Sequence, residues 1–257
     1  MRSEDVVNIL AQRIFTGKLK PGDKLPTERE LSQEMGIDRT SLRVALRQLA
    51  SMRVLDIRPG DGIYVLDYAK NAGLDFLRLI FSQTADENGR PFVVDEYTVQ
   101  EAWEFWAAFF PVMLQVAGKR SSPRDIKMQM DCIDEELDSV DDLEKVVELN
   151  LVQQDMVANA TNNIVFRLFS NASRPIRRAM VHRFVSLLDR EALAGHIRIK
   201  KALLEESLVN SLVWGEIAAR YGEALSTYLA LLKKQQNGRS SFADLMKQYV
   251  ETQARRN

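Results

Sequence analysis

This 257-residue chain has a single cysteine, Cys132, and only two histidines, His182 and His196. One cysteine excludes an intrachain disulfide and fits a reducing compartment. Two imidazoles are too few for the nitrogen-rich sites that zinc and nickel prefer. Long apolar runs are missing as well, so no membrane-spanning segment is expected. The start, Met1-Arg2-Ser3-Glu4-Asp5, opens an amphipathic helix and not the apolar stretch of a secretory leader, which makes the cytoplasm the expected location. Net charge is only −1, which excludes a whole-molecule field that would draw in polyanions. No nucleophile–base pair, phosphate-binding loop or metal-ligand set stands out, so an enzyme is not expected. With 46% hydrophobic residues the composition is that of an ordinary globular chain, long enough for two domains with separate cores.

What the chain does have is concentrated locally. Thr27 and Asp38 are N-cap residue types, each followed by helix formers, with Gly36 between the two runs. The pattern predicts two short helices that meet across a tight turn. Leu31 and Met35, four apart, pack inward from the first, and Leu42, Leu46 and Leu49 form the apolar face of the second. The opposite face of that second helix is basic, with Arg39, Arg43 and Arg47 at i, i+4 and i+8 and Thr40 and Ser41 in the first turn. From Arg39 to Arg58 there are five arginines and one acid, Asp56. Guanidinium forks, hydroxyls and a helix N-terminus are the groups that hold phosphates and read guanine edges in a major groove. A merely solvated arginine face is the competing reading, and the one-sided charge of the window argues against it. Residues 1–70 hold 12 basic and 10 acidic groups, so DNA binding rests on this cluster, which a dimer would double.

Val54-Leu55-Asp56-Ile57-Arg58 alternates as a strand, and Ile63-Tyr64-Val65-Leu66 can pair with it across Pro59-Gly60-Asp61-Gly62. A hairpin in this place is a wing, whose glycines let backbone approach a phosphate. Residues 1–66 thus resemble the winged-helix domain of the GntR superfamily of bacterial transcription regulators. The likeness is carried by P-T-E-R-E-L-S at 26–32, D-R-T-S-L-R-V-A-L at 38–46 and R-P-G-D-G-I-Y-V at 58–65. It implies that Arg29, Arg39, Thr40, Ser41, Arg43 and Gly60 touch DNA, and the basic column adds Arg47. Acidic Asp61 departs from the family pattern at the wing tip, where it would repel a phosphate.

Beyond Leu66 long helical periodicities take over. Asp67 to Phe81 reads as a connecting helix, and Ser82 to Pro91 as a loop or hinge between domains. Further helices are expected at Asp95 to Gly118, Pro123 to Leu137, Leu143 to Ala160, Ile164 to Leu188, Glu191 to Leu208 and Ser211 to Lys234, with a tail helix at Ser241 to Arg255. The expected fold is therefore multidomain. A winged helix-turn-helix (α+β) spans 1–66, a connecting helix and linker 67–94, and an all-α bundle of six or seven helices 95–257.

This second part resembles the effector and dimerisation domain of the FadR subfamily. The likeness rests on Ala160-Thr161-Asn162-Asn163, on Pro111 with the run from Ala117 to Ile126, and on Gly195-His196-Ile197-Arg198. Many members hold a divalent metal with an aspartate and three histidines and bind small organic acids over it. In that register the four positions fall on Asn150, Gln154, His196 and Leu225 or Ser226, so no metal cofactor is expected. His196 then reads as a hydrogen-bonded core histidine. The arginine that holds small carboxylates falls on Trp106 and the acid after it on Phe110, in a segment that also has Trp103, Phe105, Phe109 and Met113. Core packing or a dimer seam would account for any one of these aromatics. The run Ala219-Arg220-Tyr221-Gly222-Glu223-Ala224-Leu225-Ser226 resembles the acyl-CoA-binding branch of the subfamily. A glycine inside a helix costs about 1 kcal/mol relative to alanine, so Gly222 implies close approach of a ligand or a neighbouring helix.

The expectation is a homodimeric repressor that binds a double-stranded, inverted-repeat operator, with no membrane involvement. Its effector, a fatty acyl-CoA or another apolar metabolite, would lie near Trp106, Asn150, Gln154, His196, Tyr221, Gly222 and Ser226. Two alternatives stay open: the same fold sensing a small organic acid, or a DNA-binding protein whose bundle only dimerises. An internal cavity of roughly several hundred Å³ would favour the sensor.

Overall fold

A computed structural model describes residues 1–209 and, beyond them, only Ala218, Ala219, Gly222, Glu223, Ser226 and Ala230. The chain forms two compact units, Met1–Asp95 and Glu96–Asn257.

The first unit comprises α1 (Ser3–Phe15), α2 (Glu28–Glu34), α3 (Arg39–Ser51), β1 (Leu55–Arg58), β2 (Gly62–Val65), α4 (Tyr68–Asn71) and α5 (Leu74–Phe81). Thr27 caps α2 in a reciprocal box, its hydroxyl accepting from the Glu30 N–H at 3.3 Å while Glu30 accepts from the Thr27 N–H at 2.9 Å. Asp38 caps α3, accepting from the Ser41 N–H at 2.9 Å. Gly36, at φ 58°, supplies the left-handed residue in the turn between them. Val6, Leu10 and Ala11 of α1 are buried with Leu31 of α2 and Leu42, Leu46 and Leu49 of α3. Each large side chain hidden in this way stabilises the fold by about 1.5–3 kcal/mol. The two strands pair antiparallel, with Leu55 opposite Val65 and Arg58 opposite Gly62.

The expected single connecting helix is two. Asp67 caps α4 by accepting from the Ala69 N–H at 3.2 Å, and the chain then runs extended through Ala72 and Gly73 before α5 begins. Glycine weakens a helix interior, and here it allows a break after which Phe76, Ile80 and Phe81 are buried. The following loop, expected as a hinge, is tied to α1. Gln12 Nε2 donates to the Ala85 carbonyl at 2.8 Å, and Arg13 and Lys18 pair with Glu87 at 2.8 and 3.0 Å. In sequence Arg13 and Lys18 look like ordinary solvated charges, which hid the anchorage.

The second unit contains α6 (Glu96–Gly118), α7 (Pro123–Asp138), α8 (Leu143–Ala160), α9 (Ile164–Val185) and α10 (Arg190–Val209). Ser122, Asp142 and Asn163 cap α7, α8 and α9 with side-chain oxygens. The α8–α9 turn is fixed by Asn162 at φ 49° and by Arg120, whose guanidinium donates to the Thr161 carbonyl. Helix α9 stops at Val185, short of the expected Leu188, because Ser186 closes it and Leu187 and Leu188 form a terminal turn. Ion pairs join α8 and α9, where Arg174 meets Glu148 and Asp155 and Arg178 meets Glu144 and Glu148; the His182 ring lies 3.5 Å from Glu144. Among the described residues the hairpin is the only sheet, and no helix is long and apolar enough to cross a membrane. The expected helices at Ser211 to Lys234 and Ser241 to Arg255 lie outside the described residues, apart from the six named positions, which are helical.

Candidate functional site

Helix α3 presents Arg39, Thr40, Arg43 and Arg47 to solvent, with Ser41 half-buried behind the cap. Arg29 is exposed on α2 and Gly60 at the hairpin tip. The Ser41 hydrogen bond holds the Asp38 carboxyl below the usual carboxylate range, so the cap stays charged. Arg43 is engaged, its Nε donating to Glu28 at 2.7 Å. An exposed pair of this kind contributes at most about 1 kcal/mol, so a phosphate or base can replace Glu28 at little cost. One residue on this helix escaped the sequence reading. Val44 is 54% exposed beside Arg43, and an apolar group there suits the methyl of a thymine. Two residues from both Leu42 and Leu46, it lies off the apolar face of the helix, and that periodicity was the signal for it.

The wing tip corrects a further expectation. Asp61 is not a bare acid: it accepts from the Tyr64 hydroxyl at 2.9 Å and from Lys24 Nζ at 3.3 Å, with Arg58 at 3.9 Å. The Tyr64 bond, with Lys24 and Arg58 nearby, keeps its carboxyl below the usual range. Arg58 also lies 4.4 Å from the centre of the Tyr64 ring and donates to Asp56 at 2.8 Å. Asp61 therefore acts as an internal counter-ion to Lys24 and Arg58, which weakens its repulsion of a phosphate. Gly60, at φ 78°, makes the tip turn, and a side chain at Gly62 would overlap that of Lys24. Lys24 is distant in sequence from the wing and was not among the expected residues.

In the second unit a half-open cleft of about 70 Å³ lies between helices. Phe110, Leu114, Ile133, Val157 and Leu204 give it apolar walls, while Asn150, Gln153, Gln154 and Lys200 supply the polar groups. Asn150 and Gln154 were expected at an effector site and do line this cleft. Trp106 and His196 are not among its lining residues. Trp106 is buried, stacked on Phe110 with ring centres 5.0 Å apart, and the Arg177 guanidinium sits 5.6 Å from its ring. His196 is buried edge-on against Phe184 at 5.2 Å, and burial, helped by the charge of Lys200, pushes its pKa down to about 3. At Gly222 an added Cβ would lie 3.2 Å from Pro111 Cγ, so a neighbouring helix accounts for this glycine. Ser226 is exposed, and Tyr221 lies outside the described residues.

Behind the amides lies a buried ionic centre that sequence reading missed. Lys200 Nζ donates to Glu136 Oε2 at 2.5 Å and to Gln153 Oε1 at 3.0 Å. Glu136 also accepts from Gln153 at 2.7 Å and from Asn150 at 3.3 Å. Arg177, 1% exposed, donates to Gln154 Oε1 at 2.9 Å, to Asp155 at 2.7 Å and to the Ser170 carbonyl at 2.8 Å. Desolvation lowers its pKa, opposed by Asp155. These charges recur along helices that look amphipathic, where charge is normally solvated.

The metal that the subfamily resemblance implies does not fit these residues. Gln154 Nε2 donates to Asn150 Oδ1 at 2.8 Å, so the oxygens of both amides are already taken by N–H donors. The fixed cations Lys200 and Arg177 stand where a divalent ion would need anions. Among the described residues no three His, Cys, Asp or Glu side chains come together as ligands. Cys132 is buried, its thiol pushed up by burial.

Comparison with known proteins agrees with the fold of the first unit. Residues 2–65 match the family described as bacterial regulatory proteins, gntR family. The chain is 32% identical over 172 residues to the HTH-type transcriptional regulator Mce2R of Mycobacterium tuberculosis, covering 66% of this chain and 68% of that protein. It is 37% identical over 87 residues to the fatty acid metabolism regulator protein of Shewanella frigidimarina, covering 34% of this chain and 36% of that one. The solved structure of Lar, which controls expression of the Listeria monocytogenes agr system, aligns with a TM-score of 0.57 at 16% identity, covering 91% of this chain and 97% of Lar.

Proposed function

This chain belongs to the GntR family of bacterial regulatory proteins, and on that premise we propose that it is a cytoplasmic homodimer whose operator affinity is set by an apolar effector in the cleft of its helical unit. The family is one of DNA-binding transcription regulators, not of enzymes. The capped, basic face of α3 carries the DNA reading: Arg39, Thr40, Ser41, Arg43 and Arg47 enter the major groove, with Arg29 and the Gly60 tip on the backbone.

Dimerisation is supported by an apolar face on α6 and α9. Phe105, Phe109, Phe166 and Phe169 pack ring to ring at 4.8–5.7 Å, and around them Val112, Ile164, Val165 and Leu168 are 54–69% exposed. Contiguous apolar surface of this kind marks an interface. A second copy seated there by a two-fold axis would present two α3 helices to an inverted repeat.

What supports a sensor over a bundle that only dimerises is the lining of the cleft, apolar walls with a few convergent polar side chains. Trp106 and Phe110 replace the polar anchors of small acids, which favours an apolar effector. The Shewanella relative, named for fatty acid metabolism, is in keeping with a fatty acyl-CoA. A coupling of about 1–3 kcal/mol between cleft and α3 would change operator affinity some 5- to 150-fold.

The test is a fluorescence-anisotropy titration of inverted-repeat DNA, selected from a random pool, in the presence of acyl-CoAs of graded length. The expected result is two protomers per site and an affinity that falls at least about fivefold with one length class. No response to any acyl-CoA rejects the effector reading, and one protomer per site rejects the dimer.

A further inference from the structure

Resting on the reading of the cleft as an effector site, we infer that it takes an uncharged group, an apolar chain ending in an ester or amide carbonyl, with any charged remainder of the ligand outside it, and rejects the matching free carboxylate. The observation behind this is the charge balance of the cleft floor. Lys200 lines the cleft, is 9% exposed, and is paired with Glu136 at 2.5 Å. Arg177, one layer further in, is paired with Asp155 at 2.7 Å. Each buried cation already has its carboxylate.

An ammonium group has three N–H donors. Glu136 and Gln153 take two of those on Lys200. On this inference the third is offered to an acceptor in the cleft, and a carbonyl oxygen fills that place without adding charge. A carboxylate would bring a second anion to an ammonium that Glu136 already neutralises. Glu136 is 1% exposed, so solvent does little to screen the repulsion. The incoming carboxylate would also lose its hydration without gaining an unpaired cation in return. The apolar walls of Phe110, Leu114, Ile133, Val157 and Leu204 suit an alkyl chain. The centre that excludes a metal thereby excludes the small acids that a metal would hold.

The experiment titrates the full chain calorimetrically, at neutral pH, with methyl octanoate, octanamide and sodium octanoate. The ester and the amide are expected to bind at least about tenfold more tightly than the carboxylate. Glu136→Gln leaves the Lys200 charge unpaired and should reduce or reverse that preference, whereas Lys200→Met should weaken the ester and the amide. If circular dichroism shows that either variant fails to fold, the wild-type comparison decides alone. Equal or tighter binding of octanoate by the wild type overturns the inference and leaves the effector reading standing. Binding of none of the three probes overturns the inference, while the operator's response to acyl-CoAs judges the effector reading separately.

Discussion

Arg39 and Arg43 are four residues apart on one helix, yet their surroundings differ. Glu28 holds Arg43 at 2.7 Å, while Arg39 is exposed in the first turn of α3, beside the Asp38 cap. Arg39→Ala should therefore lower operator affinity by about 1–3 kcal/mol and affect random DNA less, as anisotropy on both DNAs would show. Equal losses would make Arg39 a phosphate contact. Buried His196 gives a different residue-scale prediction. Its pKa falls from 6.5 to about 3 in the folded chain, so it stays neutral there while the unfolded chain takes up a proton below 6.5. Its contribution to stability is full above pH 6.5 and is lost as pH falls towards 3, by at most about 1.4 kcal/mol per pH unit. His196→Gln should flatten the acid side of the stability curve in urea titrations across that window. An unchanged slope would show that His196 does not govern it.

At the scale of elements, the caps explain how much the sequence revealed. Thr27, Asp38, Ser122, Asp142 and Asn163 each begin a helix with a side-chain hydrogen bond, and each is a residue type with few competing roles at such a place. Thr27→Ala should destabilise the first unit by about 0.5–2 kcal/mol, readable as a shift in its thermal or denaturant midpoint. The wing hairpin was equally legible, but its electrostatics were not, since Lys24 reaches Asp61 across 37 positions. The same reason hid Glu136, Lys200 and Arg177: a charge looks solvated until the helices facing it are known. Val44 shows the converse, an apolar residue that helical periodicity does not place inside. Asp61→Asn should release Lys24 and Arg58 for phosphates, raising affinity for any DNA and steepening the salt dependence by roughly one or two ions. An unchanged salt slope would keep the wing off the backbone.

For the whole molecule, the seat of the proposed dimer decides whether two α3 helices act together. Leu168 is 59% exposed at the edge of the phenylalanine cluster, so Leu168→Glu should leave the protomer folded while placing a carboxylate in the apolar contact. Sedimentation velocity should then show monomers, and operator binding should fall far more than binding to a single half-site. A dimer that persisted would move the interface elsewhere. Assignment of 67–94 to a linker was the least legible part of the domain plan, because burial of Phe76, Ile80 and Phe81 and the bonds from Gln12 and Arg13 depend on tertiary packing.

The ionic centre of the second unit has a consequence for the cell. Lys200 and Arg177 are positive charges laid down at translation in fixed proportion to the chain. Chelators cannot strip them, and swings in metal supply cannot starve or mismetallate them. On the effector reading proposed above, a regulator built around such a centre would be competent as soon as it folds, and would report from that place the occupant of the cleft, independent of the ionic diet of its host.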